Sequence, residues 1–236
     1  MATLPTAPDK ALVARQAARM LLEIKAVNFY DGAPFIFTSG TSSPVYVDCR
    51  KIISYPRLRA ALMDFAVATI LRDIGYESLD AVAGGETAGI PFAAWIAERL
   101  GLPMLYVRKK AKGFGRNAQI EGSLPEGART LLVEDLASEG TSKINFVRAL
   151  RQAGGRVDHC FVLFFYDIFP GALDAMRDMD CALHHLTTWW DVLGVAKESG
   201  HFAPKILDEV ERFLHEPAAW SSRHGGVAPG GDAKAG

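Results

Sequence analysis

Glu134 and Asp135 stand side by side after an apolar run, residues 130–133, and a small polar turn follows them, with Ser138, Glu139, Gly140, Thr141 and Ser142. The run reads as a buried strand, and 143–153 carries a helical pattern. A strand passing through such a turn into a helix builds an anion site. The first helical N–H groups lack partners inside the helix and sit at the positive end of its dipole. Gly140 lets the backbone close on a ligand, while Ser138, Thr141 and Ser142 offer hydroxyls to phosphate oxygens. The two acids cannot bind that phosphate, so they must serve sugar hydroxyls or a metal ion. Phosphate beside diol-binding acids points to a phosphorylated ribose.

A second stretch carries the opposite charge. Arg108, Lys109, Lys110, Lys112 and Arg116 place five cations within nine residues, interleaved with Gly113 and Gly115, and no regular period fits them. A solvated charged hairpin is the plain alternative. A nucleic-acid patch is disfavoured by the net charge of −1 and the lack of further basic faces. Residues 113–118 match a loose G-x-G-x-x-A, yet Gly122 and Pro125 stand where a dinucleotide-binding helix should follow. A cationic loop closing over a polyanionic leaving group fits better, since fixed cations stabilise developing charge while closure excludes water.

Two weaker segments accompany these. Residues 80–83 read as a short buried strand entering Gly84, Gly85, Glu86, Thr87, Ala88 and Gly89, a turn whose backbone can approach a phosphate closely. Residues 37–50 run from a Gly/Ser/Pro turn through the alternating strand Val45, Tyr46 and Val47 to a charged end, which alone is a hairpin.

Together the four segments resemble the type I phosphoribosyltransferases. The strand, acid pair and small-residue loop at 130–142 resemble that family's motif for phosphoribosyl pyrophosphate (PRPP). The segment at 39–48 and the pattern Arg108, Lys109, Lys112, Gly115, Glu121 and Gly122 resemble the orotate branch of the family. This resemblance implies transfer of ribose 5-phosphate from PRPP to orotate, with release of pyrophosphate and with Mg2+ as cofactor held through PRPP rather than by a protein cage. It implies that Glu134 and Asp135 hold the ribose hydroxyls, and that Leu136, Ala137, Ser138, Glu139, Gly140, Thr141 and Ser142 form the PRPP loop around the 5′-phosphate. Gly85, Glu86, Thr87 and Ala88 would contact pyrophosphate. Ser138, Tyr46 and Val47 would lie at the base. Lys112 would be the main catalytic cation, with Arg108 and Lys109 on the pyrophosphate and Asp135 stabilising the positive sugar. A homodimer is implied, in which the cationic loop reaches the neighbouring site.

Three positions depart from the family pattern: Thr38 and Ala88 stand where some relatives carry lysine, and Phe114 where they carry histidine. Ile168 and Phe169 occupy a turn where some relatives place an arginine. A transferase for another base and a PRPP-sensing regulator therefore remain alternatives, although Arg108 and Lys112 disfavour a sensor.

Positioning these groups requires strands alternating with helices at short junctions, hence an α/β fold with a doubly wound parallel sheet and a small N-terminal hood. Residues 1–216 are expected to form one domain, with the hood at about 9–50, and the Gly/Ala/Pro/Ser-rich 217–236 to be disordered. Helical periods cover 9–24 and 203–215. Residues 157–166 read as an interior strand and 182–187 as an edge strand, with His184 and His185 structural rather than metal-binding. The 236 residues are 49% hydrophobic with no apolar run long enough to span a bilayer, and the three cysteines lack metal-ligand spacing. A reduced, cytoplasmic protein is expected.

Overall fold

Asp9 opens the first helix in the computed structural model, which describes residues 9–30, 32–112, 119–138, 141–169 and 171–227 and, at Thr141 and Ser142, the backbone alone. The Asp9 carboxylate accepts the N–H groups of Ala11 and Leu12 at 2.7 and 3.0 Å, capping α1 (Lys10–Glu23). Val13, Ala17 and Leu21 lie on its buried stripe at helical spacing. Four short strands make the hood: β1 (Val27–Phe29), β2 (Phe35–Ile36), β3 (Ser42–Ser43) and β4 (Val45–Val47). They pair antiparallel, β1 with β4 and β2 with β3. A 3-10 turn, Cys49–Ser54, leads to α2 (Pro56–Asp73), whose first position suits Pro56 because no N–H is needed there. Val45, Val47, Cys49 and Ile52 share one core with α1 and α2, so the hood is not a separate unit.

β5 (Ala81–Gly85) is buried throughout and reaches α3 (Gly89–Leu100) after three residues. Pro91 falls in the first turn of this helix, where it removes no hydrogen bond. Gly101, at φ +66°, ends it in the left-handed conformation that glycine adopts freely. β6 (Met104–Val107) then pairs antiparallel with β7 (Ile120–Glu121), and the Arg108 N–H donates to the Gln119 carbonyl at 2.8 Å. The residues that flank the cationic stretch therefore form a two-stranded stem on the sheet edge, and 113–118 lie outside the described residues.

The remaining elements are β8 (Arg129–Ala137), α4 (Thr141–Gln152), β9 (Arg156–Phe165), α5 (Asp174–Arg177), β10 (Ala182–Thr188), α6 (Trp189–Ser199) and α7 (Pro204–His215). Thr188 and Asp191 start α6 with a reciprocal cap. The Thr188 N–H donates to Oδ2 of Asp191 at 2.8 Å, and the Asp191 N–H to Oγ1 of Thr188 at 3.3 Å.

The six-stranded sheet runs β10-β9-β8-β5-β6-β7, parallel except for β7. From β5 the chain crosses through α3 to β6 on one side. From β8 it crosses through α4 to β9 on the other. The strand order therefore reverses between β5 and β8, and the loops after those two strands part there, which is where doubly wound sheets take ligands. One core packs α1, α2, α3, α6 and α7 against one face of the sheet, and a second packs α4 and α5 against the other. β10 is the edge strand, as its sequence suggested.

Residues 217–227 overturn the expected disorder. They form α8 (Pro217–Arg223), and Trp220 is only 1% exposed, its ring edge-on to Phe213 at 5.6 Å and its Nε1 donating to Glu209 Oε2 at 3.1 Å. The small-residue composition conceals one tryptophan, whose burial offsets the entropy of ordering its neighbours. Residues 228–236 lie outside the described residues.

Candidate active site

A cleft of about 1280 Å³ opens at the carboxyl ends of β5 and β8, under the hood. Close packing dictates the residues on its β5 side. A side chain at Gly85 would overlap the Glu134 carboxylate and Phe146, and one at Gly84 would sit 2.8 Å from the Ile90 Cα. Glycine is therefore required for β5 to lie so near its neighbours. The loop itself is Glu86, Thr87 and Ala88, all of which line the cleft, and its Glu86–Thr87 peptide bond is cis. The Glu86 N–H donates to the Val107 carbonyl at 2.9 Å, and Glu86 Oε2 accepts the Lys109 N–H at 2.7 Å. Glu86 thus joins this loop to the cationic hairpin.

On β8 the two acids follow the alternation of a strand and turn to opposite faces. Glu134 lies toward α4, against Gly85 and Phe146. It is 7% exposed and faces Lys143, itself 5% exposed, with Nζ 4.0 Å from Oε2. Burial pushes the Glu134 pKa up to about 7, assisted by the Asp135 charge and opposed chiefly by Lys143. Its Oε1 lies against Gly89, whose N–H also lowers the pKa, without forming a hydrogen bond of regular geometry. Asp135 lies toward the hood, within the fields of Cys49, Arg50 and Tyr166. Burial raises its pKa too, against Lys143 and the N–H of Leu136, which donates to Oδ1 at 2.9 Å. Two desolvated carboxylates between a glycine-tight loop and a helix start can accept hydrogen bonds from a diol.

α4 begins at Thr141 immediately beyond, so the turn expected to meet an anion does lead into a helix start, whose first N–H groups have no acceptor within the helix. Ser138 lines the cleft at this end. Lys143 lies in the first turn, where the helix dipole disfavours a cation, and the Glu134 carboxylate compensates.

The hood supplies the opposite wall with Phe37, Thr38, Ser39, Thr41, Tyr46 and Val47. The Tyr46 ring lies 5.8 Å from Phe35 and 6.4 Å from Phe37. Tyr166 stacks on Phe169 at 6.1 Å, and both face the same cleft. Flat rings on two sides suit a planar ligand. Asp48 and Arg50, paired at 3.1 Å, close the hood end.

Of the residues singled out from sequence, Tyr46, Val47, Glu86, Thr87, Ala88, Lys109, Glu134, Asp135, Leu136 and Ser138 meet at this one cleft. Gly85 and Ala137 are buried behind its surface. Arg108 does not reach it. Its Nη1 donates to Glu121 Oε1 at 3.3 Å in the stem of the hairpin. Lys112 is exposed beyond that stem and is not among the lining residues. Glu139, Gly140 and Phe114 lie outside the described residues, as do the side chains of Thr141 and Ser142. Lys143, Asn145, Phe146 and Tyr166 line the cleft without having been expected there. A cation in the first turn of the helix that follows two adjacent acids was the available signal for Lys143. Among the described residues no three His, Cys, Asp or Glu side chains gather into a metal cage.

Comparison with known proteins agrees with this geometry. A family profile described as the phosphoribosyl transferase domain matches residues 55–193. Orotate phosphoribosyltransferase of Sinorhizobium fredii is 60% identical over 219 residues, covering 93% of this chain and 94% of that protein. The enzyme of the same name from Roseobacter denitrificans is 57% identical over 213 residues, covering 90% of this chain and 95% of its own. Among solved structures, orotate phosphoribosyltransferase from Aeropyrum pernix superposes with a TM-score of 0.67 at 32% identity, covering 78% of this chain and 99% of that one. UMP synthase of Leishmania donovani superposes with a TM-score of 0.73 at 27% identity over 85% of this chain, which spans 42% of that longer protein.

Proposed function

The chain belongs to the type I phosphoribosyltransferase family, among its orotate phosphoribosyltransferases, and we propose how its own residues carry the transfer of ribose 5-phosphate from PRPP to orotate. The supporting observation is the acid pair, Glu134 buried and Asp135 half-buried, set between a helix start and a polar loop beneath an aromatic hood. No covalent nucleophile is needed. The bond from C1 of the ribose to pyrophosphate lengthens, positive charge grows on the sugar, and a ring nitrogen of orotate attacks from the opposite side. The products are orotidine 5′-monophosphate and pyrophosphate.

Ala137, Ser138, Glu139, Gly140, Thr141 and Ser142 cradle the 5′-phosphate at the start of α4. Glu134 and Asp135 accept the ribose hydroxyls, and the Asp135 charge favours the electron-poor sugar. Thr87, Ala88 and Lys109 take the pyrophosphate, while Arg108 acts from the hairpin stem. Tyr46, Val47 and Ser138 hold the flat base.

Magnesium is the cofactor of this scheme. The carboxylate oxygens of Glu134 and Asp135 are hard donors beside the place of the ribose, which suits an ion held mainly by PRPP oxygens. Once bound, it neutralises charge on the departing group.

Lys112 stands outside the cleft of its own chain. That placement supports a homodimer in which each cationic loop serves the neighbouring site. No helix among the described residues is long and apolar enough to cross a membrane. All three cysteines are free and buried, which suits the reducing cytoplasm.

The direct test is pyrophosphate release from PRPP and magnesium with orotate, uracil, adenine and hypoxanthine in parallel. Release with orotate alone is expected. Release only with another base would move the specificity, and silence with all four in a protein that binds PRPP would favour a sensor.

A further inference from the structure

The hood turn that walls the cleft is gripped from behind by the C-terminal residues. Phe37 and Thr41 close this turn with a 2.9 Å hydrogen bond, and the inner face of the turn presents Phe37, Ser39 and Thr41 to the cleft. Among the described residues its ladder is β2–β3, two residue pairs long, which is too short to hold a conformation by itself. Its outer face is bound by α8 and the four residues after it, His224 to Val227. Ser221 Oγ, fully buried, accepts the Ser42 N–H at 2.9 Å and donates to the Val227 carbonyl at 2.6 Å. Ser42 Oγ donates to the His224 carbonyl at 3.1 Å, and the Val227 N–H to the Gly40 carbonyl at 3.0 Å.

The fit is tight. A side chain at Gly226 would lie 2.5 Å from Ser221 Oγ and 2.6 Å from Ser42 Oγ, so glycine alone lets the strap pass. His224 stacks on the buried Trp220 at 3.6 Å, and its Nδ1 donates to the Trp220 carbonyl at 2.8 Å, which anchors the strap to the core.

We propose that Ser221 and the strap of His224, Gly226 and Val227 are positioning residues for the base, holding the hood turn 37–42 at the separation from Tyr166 and Asp135 that orotate requires. This rests on the hood turn being the base side of the cleft. The strap touches neither the acids nor the loop at Glu86, so its effect falls on the base and spares the phosphate contacts.

Kinetics with orotate and PRPP, in the presence of magnesium, on three variants test this: Ser221→Ala, a chain shortened after Arg223, and Ser39→Ala as the cleft-side control. Shortening keeps α8 and Trp220, so it still reads the strap if Ser221→Ala melts early by leaving the buried Ser42 N–H unpaired. Loss of one buried hydrogen-bonded anchor is expected to raise KM for orotate about fivefold to tenfold. The kcat and the KM for PRPP should stay near those of the parent. If Ser39→Ala raises the orotate KM while both strap variants leave it unchanged, the positioning role is overturned and the base side stands. If the PRPP KM moves in place of the orotate KM in all three, the base-side assignment fails and the inference with it.

Discussion

Glu86 Oε2 accepts the backbone N–H of Lys109 at 2.7 Å, so the loop after β5 holds the second of the cations that follow β6. A carboxylate in a loop proposed to meet pyrophosphate is electrostatically adverse, and the contact with Lys109 gives it a structural role there. Glu86→Gln keeps an acceptor and removes the charge, so PRPP binding should hold or tighten. Glu86→Ala frees the hairpin stem and should lower kcat/KM for PRPP about tenfold, the scale of one hydrogen bond to a charged group. Equal kinetics for the two variants would dismiss the tether.

Lys112→Ala should reduce kcat about 100- to 1000-fold, the usual cost of removing one charge stabiliser from a transition state, with orotate binding little changed. If each loop serves the neighbouring site, mixing Lys112→Ala with Asp135→Asn protein should restore part of the activity, because a heterodimer then holds one intact site. Subunit exchange without recovery would place Lys112 in its own chain's site.

The placement of the acid pair at the end of a strand, the glycine turn and the helix start at Thr141 were legible in sequence because each depends on local order: a strand period, a small-residue turn, a helix period. Lys143 was not, because a cation within a helical pattern looks solvated until Glu134 is known to lie beneath it. Arg108 pairs with Glu121 from the returning strand of the hairpin, a contact that a charge count does not show. The hood was half visible, since β4 alternates whereas β1 and β2 are held by partners rather than by pattern. Composition misjudged α8 outright, for one buried tryptophan outweighs a run of small residues.

At the sheet edge, His185 should limit stability in acid. Burial, then the field of Lys10, depresses its pKa to about 4, with His184 adding to the shift and Asp191 and Asp73 opposing it. The unfolded chain takes up this proton near pH 6.5 and the folded one only near 4, so stability is lost as pH falls through that window. His185 packs on Phe165 at 5.5 Å, and its Nδ1 is buried without a hydrogen bond, so an apolar replacement sacrifices no partner there. His185→Leu should therefore recover about 2 kcal/mol of the loss between pH 6.5 and 4, allowing for partial exposure. Denaturant titrations at several pH values measure this, and parallel wild-type and mutant profiles would exclude the role.

Glu134 should impose the opposite slope near neutrality. Its folded pKa of about 7 lies above the usual 4.5, so the folded state binds the proton more tightly than the unfolded chain does. The stabilisation is complete below about pH 4.5 and is lost as pH rises to 7, by up to about 3 kcal/mol. Lys143 limits the effect and the Asp135 charge enlarges it, so the two acids titrate as a pair. Glu134→Gln imitates the protonated form. In the ligand-free protein its stability advantage over wild type should grow from pH 5 to pH 8, while its turnover falls for want of the ribose contact. The two profiles cancel the histidine contributions when subtracted, which isolates the carboxylate. A stability difference that does not change with pH would show that Glu134 is ionised throughout and that Lys143 outweighs its burial.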